Sequence, residues 1–232
     1  AHQAMACLHG LDTPVRVAAN PLSGHAFRGL RRAQRHALKL VQYSSSFLYG
    51  PPGTGKTTTL GVLLAEYLHL NPRARVLLLS TTNHAVDQAT VAVDKALEQS
   101  KREALRKTIK RLGSRFVASH YAGREHLLPV HDKSLIKQLA DIQAQRPSDA
   151  KLAELSLWKE RVQALEQKLL SQSLEVLRQN RLSCMTTTRA AFTLQDLRTL
   201  PTFDLVVFDE ASQVGLAHAL ALMPLGRSYL FA

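Results

Sequence analysis

The chain has 232 residues, 45% of them hydrophobic and 21% charged, with a formal net charge of +12. That length suits one large domain or a domain with an insertion, and the balance is that of a globular chain rather than a disordered or fibrous one. No apolar run approaches a membrane span, no signal-peptide pattern opens the chain, and Cys7 and Cys184 lack metal-ligand spacing, so no membrane partner is expected and a reducing, cytoplasmic location is.

The first residue is Ala1, which points to a piece of something longer. Residues 1–29, punctuated by Pro14, Pro21, Gly24 and Gly29, have no sustained periodicity and read as a lead-in or the end of a preceding domain. Cys7 with His2 and His9 is too sparse at a terminus to carry a zinc reading. A short apolar run at 46–49 predicts a buried strand, and Gly50-Pro51-Pro52-Gly53-Thr54-Gly55-Lys56-Thr57 follows it. These eight residues fit G-x-x-x-x-G-K-[ST], a loop that wraps the phosphates of a nucleoside triphosphate. Backbone N–H groups converge on a phosphate only where side chains do not block them, hence the glycines. Lys56 supplies a point charge to the β and γ oxygens, the Thr57 hydroxyl is a ligand for Mg²⁺, and Thr58 is taken with them as nucleotide-binding. Leu60, Leu63, Leu64, Tyr67 and Leu68 then recur at helical spacing until Asn71-Pro72 stops the pattern.

Further strands are expected at 75–79, about 109–112, about 182–186, 204–208 and 228–231. Val76 to Leu79 and Leu205 to Phe208 are continuously apolar, as parallel strands covered on both faces are. The pattern predicts an α/β fold with a doubly wound parallel sheet over residues 30–232, whose strand ends put Gly50, Thr81 and Asp209 on one rim. Residues 132–181 interrupt the alternation. Leu135, Ile136, Leu139 and Ile142 mark one helix; Leu152, Leu155, Trp158, Val162, Leu165 and Leu169 mark a second. Together they predict an inserted antiparallel helical hairpin with a second arm about 45 Å long at ~1.5 Å per residue. Trp158 reads as core of that hairpin.

The charge is uneven. Residues 95–181 hold eighteen basic and ten acidic side chains, and residues 1–47 six basic and one acidic, whereas 48–94 balance and 182–232 come to −1. Such basic excess suggests a polyanionic partner, with solvated helix faces as the plainer alternative. The Asp209-Glu210 pair behind its apolar strand supplies what the phosphate loop lacks. Asp209 suits Mg²⁺, and Glu210 can accept a proton from the water that attacks the γ-phosphate.

Gly50–Thr57, Ser80-Thr81-Thr82-Asn83-His84-Ala85-Val86-Asp87 and Val207-Phe208-Asp209-Glu210-Ala211-Ser212-Gln213 resemble three motifs of superfamily 1 helicases, closest to the branch of the nonsense-mediated-decay helicase and senataxin. The likeness runs from about Leu30 to Ala232 and covers the first RecA-like domain; the middle motif narrows it to that branch. The resemblance implies a P-loop NTPase that binds ATP with Mg²⁺ and single-stranded DNA or RNA. Gln34 is implied as the adenine-reading glutamine, though a solvated helix glutamine reads almost equally well. Thr81, Thr82, Asn83 and Thr187 are implied as contacts to the sugar–phosphate backbone. The family continues beyond the last strand into a coupling motif and a second RecA-like domain, expected in the parent chain, whose arginines complete the site. A chain without them is expected to bind nucleotide but turn it over very slowly. Two other readings stand beside this one: an ATP-driven switch that remodels protein partners, and a nucleic-acid-binding module with a vestigial nucleotide site.

Overall fold

The computed structural model describes residues 29–51, 53–113, 115–129, 138, 141–148 and 152–232. Its six strands are β1 (Ser45–Phe47), β2 (Val76–Ser80), β3 (Ile109–Arg111), β4 (Leu182–Thr186), β5 (Phe203–Phe208) and β6 (Gly226–Phe231). They form one sheet in the order β1-β6-β5-β2-β4-β3, every neighbouring pair parallel. Each expected strand is present within a residue or two of its predicted bounds, but β1 is an edge strand with Phe47 exposed, not the buried strand expected there, because only β6 flanks it. β2 explains the continuous apolar runs: Val76 and Leu78 enter one core, Leu77 and Leu79 the other, and all four are fully buried.

Helices cover both faces, as a doubly wound sheet requires. On one side lie α1 (Arg32–Ala37), α2 (Lys56–Leu70) and α3 (Asn83–Gln99). α2 ends where predicted, with the Asn71 side chain donating to the Tyr67 carbonyl at 2.8 Å. α3 begins at Thr82, whose hydroxyl accepts the Ala85 N–H at 3.1 Å and so satisfies one orphan donor of the first turn. The two helices pack against each other at Gly61. A Cβ there would lie 2.7 Å from the carbonyl carbon and oxygen of Ala92, so the contact depends on a missing side chain.

The other face is covered by the last turns of α4 (Leu152–Gln179), by α5 (Thr187–Phe192) and by α6 (Leu216–Leu222). α4 has 28 residues, roughly 42 Å at ~1.5 Å per residue, close to the predicted length of the second hairpin arm. Its C-terminal end enters the core through Leu177, and Leu155 and Leu165 are buried farther along. Most of the first arm lies outside the described residues, but residues 141–144 are helical and the Trp158 indole donates to the Ile142 carbonyl at 2.7 Å. The two arms therefore touch, and Trp158 serves that contact. The lead-in over residues 1–28, including Cys7, His2 and His9, also lies outside the described residues.

Ion pairs bind the helices to the loops around β3. Asp94 and Glu66, both fully buried, take Arg106 at 2.7 Å and Arg102 at 2.6 Å, and Arg124 bridges Asp94 and Glu98. Arg181 donates to the carbonyls of Leu68 and Asn71, fastening the end of α2 to β4. Part of the basic excess of residues 95–181 is thus neutralised inside the fold by three acids from an earlier segment, Glu66, Asp87 and Asp94. A count along the chain cannot see this neutralisation.

Candidate functional site

The turn between β1 and α2 is built around glycine geometry. Gly53 and Gly55 adopt φ of +79° and +80°, a region that costs any residue with a Cβ, and Gly55 is the N-cap of α2. The Thr54 hydroxyl donates to the Pro51 carbonyl at 2.7 Å, closing the loop on itself. Gly50, Pro51, Gly53, Thr54, Gly55, Lys56, Thr57 and Thr58 form this turn and the start of α2; Pro52 lies outside the described residues. Gln34 sits against this loop. Its Nε2 donates to the Thr54 carbonyl at 3.2 Å and its Oε1 accepts the Arg31 N–H at 2.8 Å, so it links α1 to the turn. Each end of the amide keeps one further hydrogen-bonding position. A cavity of about 310 Å³ opens beside it, lined by Gln34, Ala37, Leu48, Tyr49 and Thr54.

Asp209 follows β5 directly. One strand, β6, separates β5 from β1, so at ~4.8 Å per strand the acid and the loop stand about 10 Å apart at their backbones. That gap suits a phosphate with a hydrated cation. Burial raises the Asp209 carboxyl above the ordinary carboxylate range, and the Lys56 ammonium, close enough to be felt, pulls it back down. Lys56 also lines one cavity with Ala211 and Ser212, the residues just past the acid pair. The Thr57 hydroxyl makes no hydrogen bond among the described residues. A free hydroxyl and a carboxylate are hard oxygen donors, a fit for a small divalent cation.

Glu210 occupies the left-handed region at φ +53°, a backbone conformation that costs a non-glycine residue about 1–3 kcal/mol and tends to be kept where function needs it. The Thr81 hydroxyl lies 3.4 Å from both Glu210 Oε2 and Gln213 Oε1. The turn after β2 therefore reaches the acid pair directly.

The remaining predicted residues divide. Thr82 is exposed. Asn83 is half-buried, its Oδ1 accepting from Arg111 Nη2 at 2.7 Å. Thr187 does not present its side chain: it is 4% exposed, and the turn after β4 offers Thr188 and Arg189 instead. The buried carboxylate of Asp87 organises this end of the rim. It accepts from Arg111 Nε at 2.9 Å, the Tyr121 hydroxyl at 2.7 Å and the Val117 N–H at 2.8 Å. Burial, then the bond to Asp87, drives the Tyr121 hydroxyl far above its usual range. Nothing in the sequence marks Arg111 or Tyr121 as partners of Asp87, since 24 and 34 residues separate them. The Cys184 thiol is buried and pushed up to about 12, which removes it from nucleophilic chemistry at neutral pH.

Among the described residues there is no helix long and apolar enough to cross a membrane, and no group of three or more His, Cys, Asp or Glu that could hold a metal ion. A family model described as an AAA domain matches residues 34–226, most of the chain and the whole of the site just described. Comparison with curated proteins returns no match.

Proposed function

This chain belongs to the AAA domain family, a nucleotide-binding P-loop NTPase, and from that premise we propose that it is the first motor domain of an ATP-dependent superfamily 1 helicase of the nonsense-mediated-decay helicase and senataxin branch. It binds ATP with Mg²⁺ and a single strand of DNA or RNA, and hydrolysis at a useful rate draws on a second RecA-like domain. The observation that carries this reading is the placement of Lys56 and Asp209 one strand apart on a rim where Thr81 also reaches Glu210.

The loop N–H groups and Lys56 hold the β- and γ-phosphates. Thr57 and Asp209 are the groups that would hold Mg²⁺, which when bound offsets charge on the phosphate oxygens. Glu210 orients the attacking water and accepts its proton. The strand lies across the turns after β2 and β4, contacting Thr81, Thr82 and Asn83 through its backbone, so contacts there position rather than read sequence. The hydrogen bond from Thr81 to Glu210 supports a link between strand occupancy and the catalytic carboxylate. The second reading, a switch acting on protein partners, draws support from the internal pairing of Arg102, Arg106, Arg111 and Arg124, which leaves less free positive surface.

Fluorescent-nucleotide titration tests the site. Lys56→Ala is expected to lose nucleotide binding, whereas Glu210→Gln retains it, because the first removes a phosphate ligand and the second only a proton acceptor. Wild-type affinity in Lys56→Ala would show that the triphosphate does not sit here.

A further inference from the structure

The end of the sheet opposite the phosphate loop holds a cavity of about 530 Å³, within the ordinary size range of small-ligand sites. It opens where α2 ends and where β5 and β6 begin. The length of α2, 15 residues or roughly 22 Å at ~1.5 Å per residue, separates it from Lys56. Val41, Leu70 and Pro72 give it apolar walls. Tyr67, from the last turns of α2, also lines it and is only 8% exposed. Its backbone carbonyl is taken by the N–H and the side chain of Asn71, but its hydroxyl has no hydrogen-bond partner among the described residues. A phenol so enclosed stays unsatisfied unless something in the cavity accepts its proton. Burial, then the charge of Asp204, raise its pKa to about 12, so at neutral pH it can donate. Two cations stand beside it. Arg73 is exposed and makes no hydrogen bond or ion pair among the described residues. Arg227, its side chain 73% exposed, approaches Asp204 at 3.7 Å, too far for a hydrogen bond. Asp204 itself is engaged elsewhere, its Oδ2 accepting the Arg75 N–H at 2.9 Å.

We propose that this cavity binds a small organic anion, an apolar body carrying a carboxylate, whose oxygens are held by Arg73, Arg227 and the Tyr67 hydroxyl. Each part of that ligand answers a feature of the lining. The planar fork of arginine takes two carboxylate oxygens at once. The Tyr67 hydroxyl supplies a donor for which the fold has no acceptor. The apolar walls remove the body of the ligand from water. The charged residues of the lining are two arginines against the one carboxylate of Asp204, so the cavity favours an anion over a cation. A bare inorganic anion would leave the walls wet, and an uncharged body would leave both guanidinium groups unused. The cavity shares no residue with the phosphate loop or the acid pair, so the proposal stands independently of the nucleotide reading.

Isothermal titration calorimetry of sodium octanoate into the 232-residue chain tests this, run at two temperatures so that a vanishing enthalpy is not mistaken for absence of binding. Octanoate is expected to bind at one site, with acetate and octan-1-ol each weaker by about tenfold or more, since each lacks one half of the recognised ligand. The double variant Arg73→Ala with Arg227→Ala should weaken octanoate by about tenfold or more, and Tyr67→Phe by about threefold to tenfold for one lost hydrogen bond. Neither variant should lower the melting temperature of the unliganded chain, because both arginines are exposed and phenylalanine keeps the buried ring. Saturating Mg·ATP should leave octanoate bound. Wild-type affinity for octanoate in the double variant, or no binding by the wild type at either temperature, would overturn the proposal. Acetate as tight as octanoate would reduce the site to a bare anion contact, and octan-1-ol as tight would reduce it to an apolar one; either refutes the assignment. Complete displacement of octanoate by Mg·ATP would place it in the nucleotide pocket and refute it as well.

Discussion

Asp87 offers the sharpest test of how the rim is held. Its carboxylate is fully buried and takes three donors: Arg111 at 2.9 Å, Tyr121 at 2.7 Å and Val117 at 2.8 Å. Arg111 is itself only 1% exposed. Asp87→Ala leaves that guanidinium in a low-dielectric interior beside Arg189, and leaves two further donors without an acceptor. Breaking a buried pair by removing one partner costs about 3–5 kcal/mol. Against a total stability of about 5–15 kcal/mol for a native domain, that is a large fraction. At about 2–4 °C per kcal/mol for a chain of this size, the melting temperature should fall by roughly 6–20 °C. Asp87→Asn, which keeps an acceptor for Tyr121 but no charge for Arg111, should fall between wild type and Asp87→Ala. Urea denaturation followed by circular dichroism gives the free energies. A double-mutant cycle with Arg111→Met should return a coupling of about 1 kcal/mol or more. A loss below about 1 kcal/mol in Asp87→Ala would refute the argument, since an orphaned buried cation cannot be that cheap.

Two further outcomes follow from the packing and charge around α3. Gly61→Ala should destabilise the protein by differential scanning fluorimetry: overpacking against the Ala92 carbonyl, 2.7 Å from the new Cβ, costs about 1–3 kcal/mol and offsets the ~1 kcal/mol that alanine gains in a helix. A more stable Gly61→Ala would mean that α2 and α3 do not depend on that close approach. His126 has its pKa lowered from 6.5 by burial and by the charges of Arg106, Lys110 and Arg124. Its Nε2 lies 2.9 Å from Asp94, already shared by Arg106 and Arg124, so the neutral ring donating a proton is the favoured form. The unfolded chain then binds the proton more tightly than the folded one. Stability contributed by neutral His126 is present above pH 6.5 and declines as pH falls from there toward the lower folded value. His126→Gln should show a shallower loss over that window in urea titrations at stepped pH; an unchanged slope would remove His126 as the cause.

The phosphate loop, the six strands and the acidic pair were legible because each is a local pattern. A glycine spacing, a run of apolar residues or two adjacent acids needs no knowledge of distant chain. The long helix of the hairpin was legible for the same reason, through its three-and-four spacing. The contact roles along the rim were less so. Thr187 and Thr188 are equivalent to a reader of residue types, yet the packing of α5 buries the first and exposes the second. Gln34 was picked out by position, and only the fold shows both ends of its amide already bonded to backbone.

What the sequence determined by itself is a parallel α/β sheet carrying a triphosphate loop and an acidic pair, since backbone periodicity and short motifs are written in neighbouring residues. Tertiary structure alone decided that β6 stands between the loop and Asp209, and that Glu66, Asp87 and Asp94 absorb arginines from a later, basic segment. Neutralisation of a charge depends on which groups meet through space, and strand order and helix packing bring together residues that a linear count keeps apart.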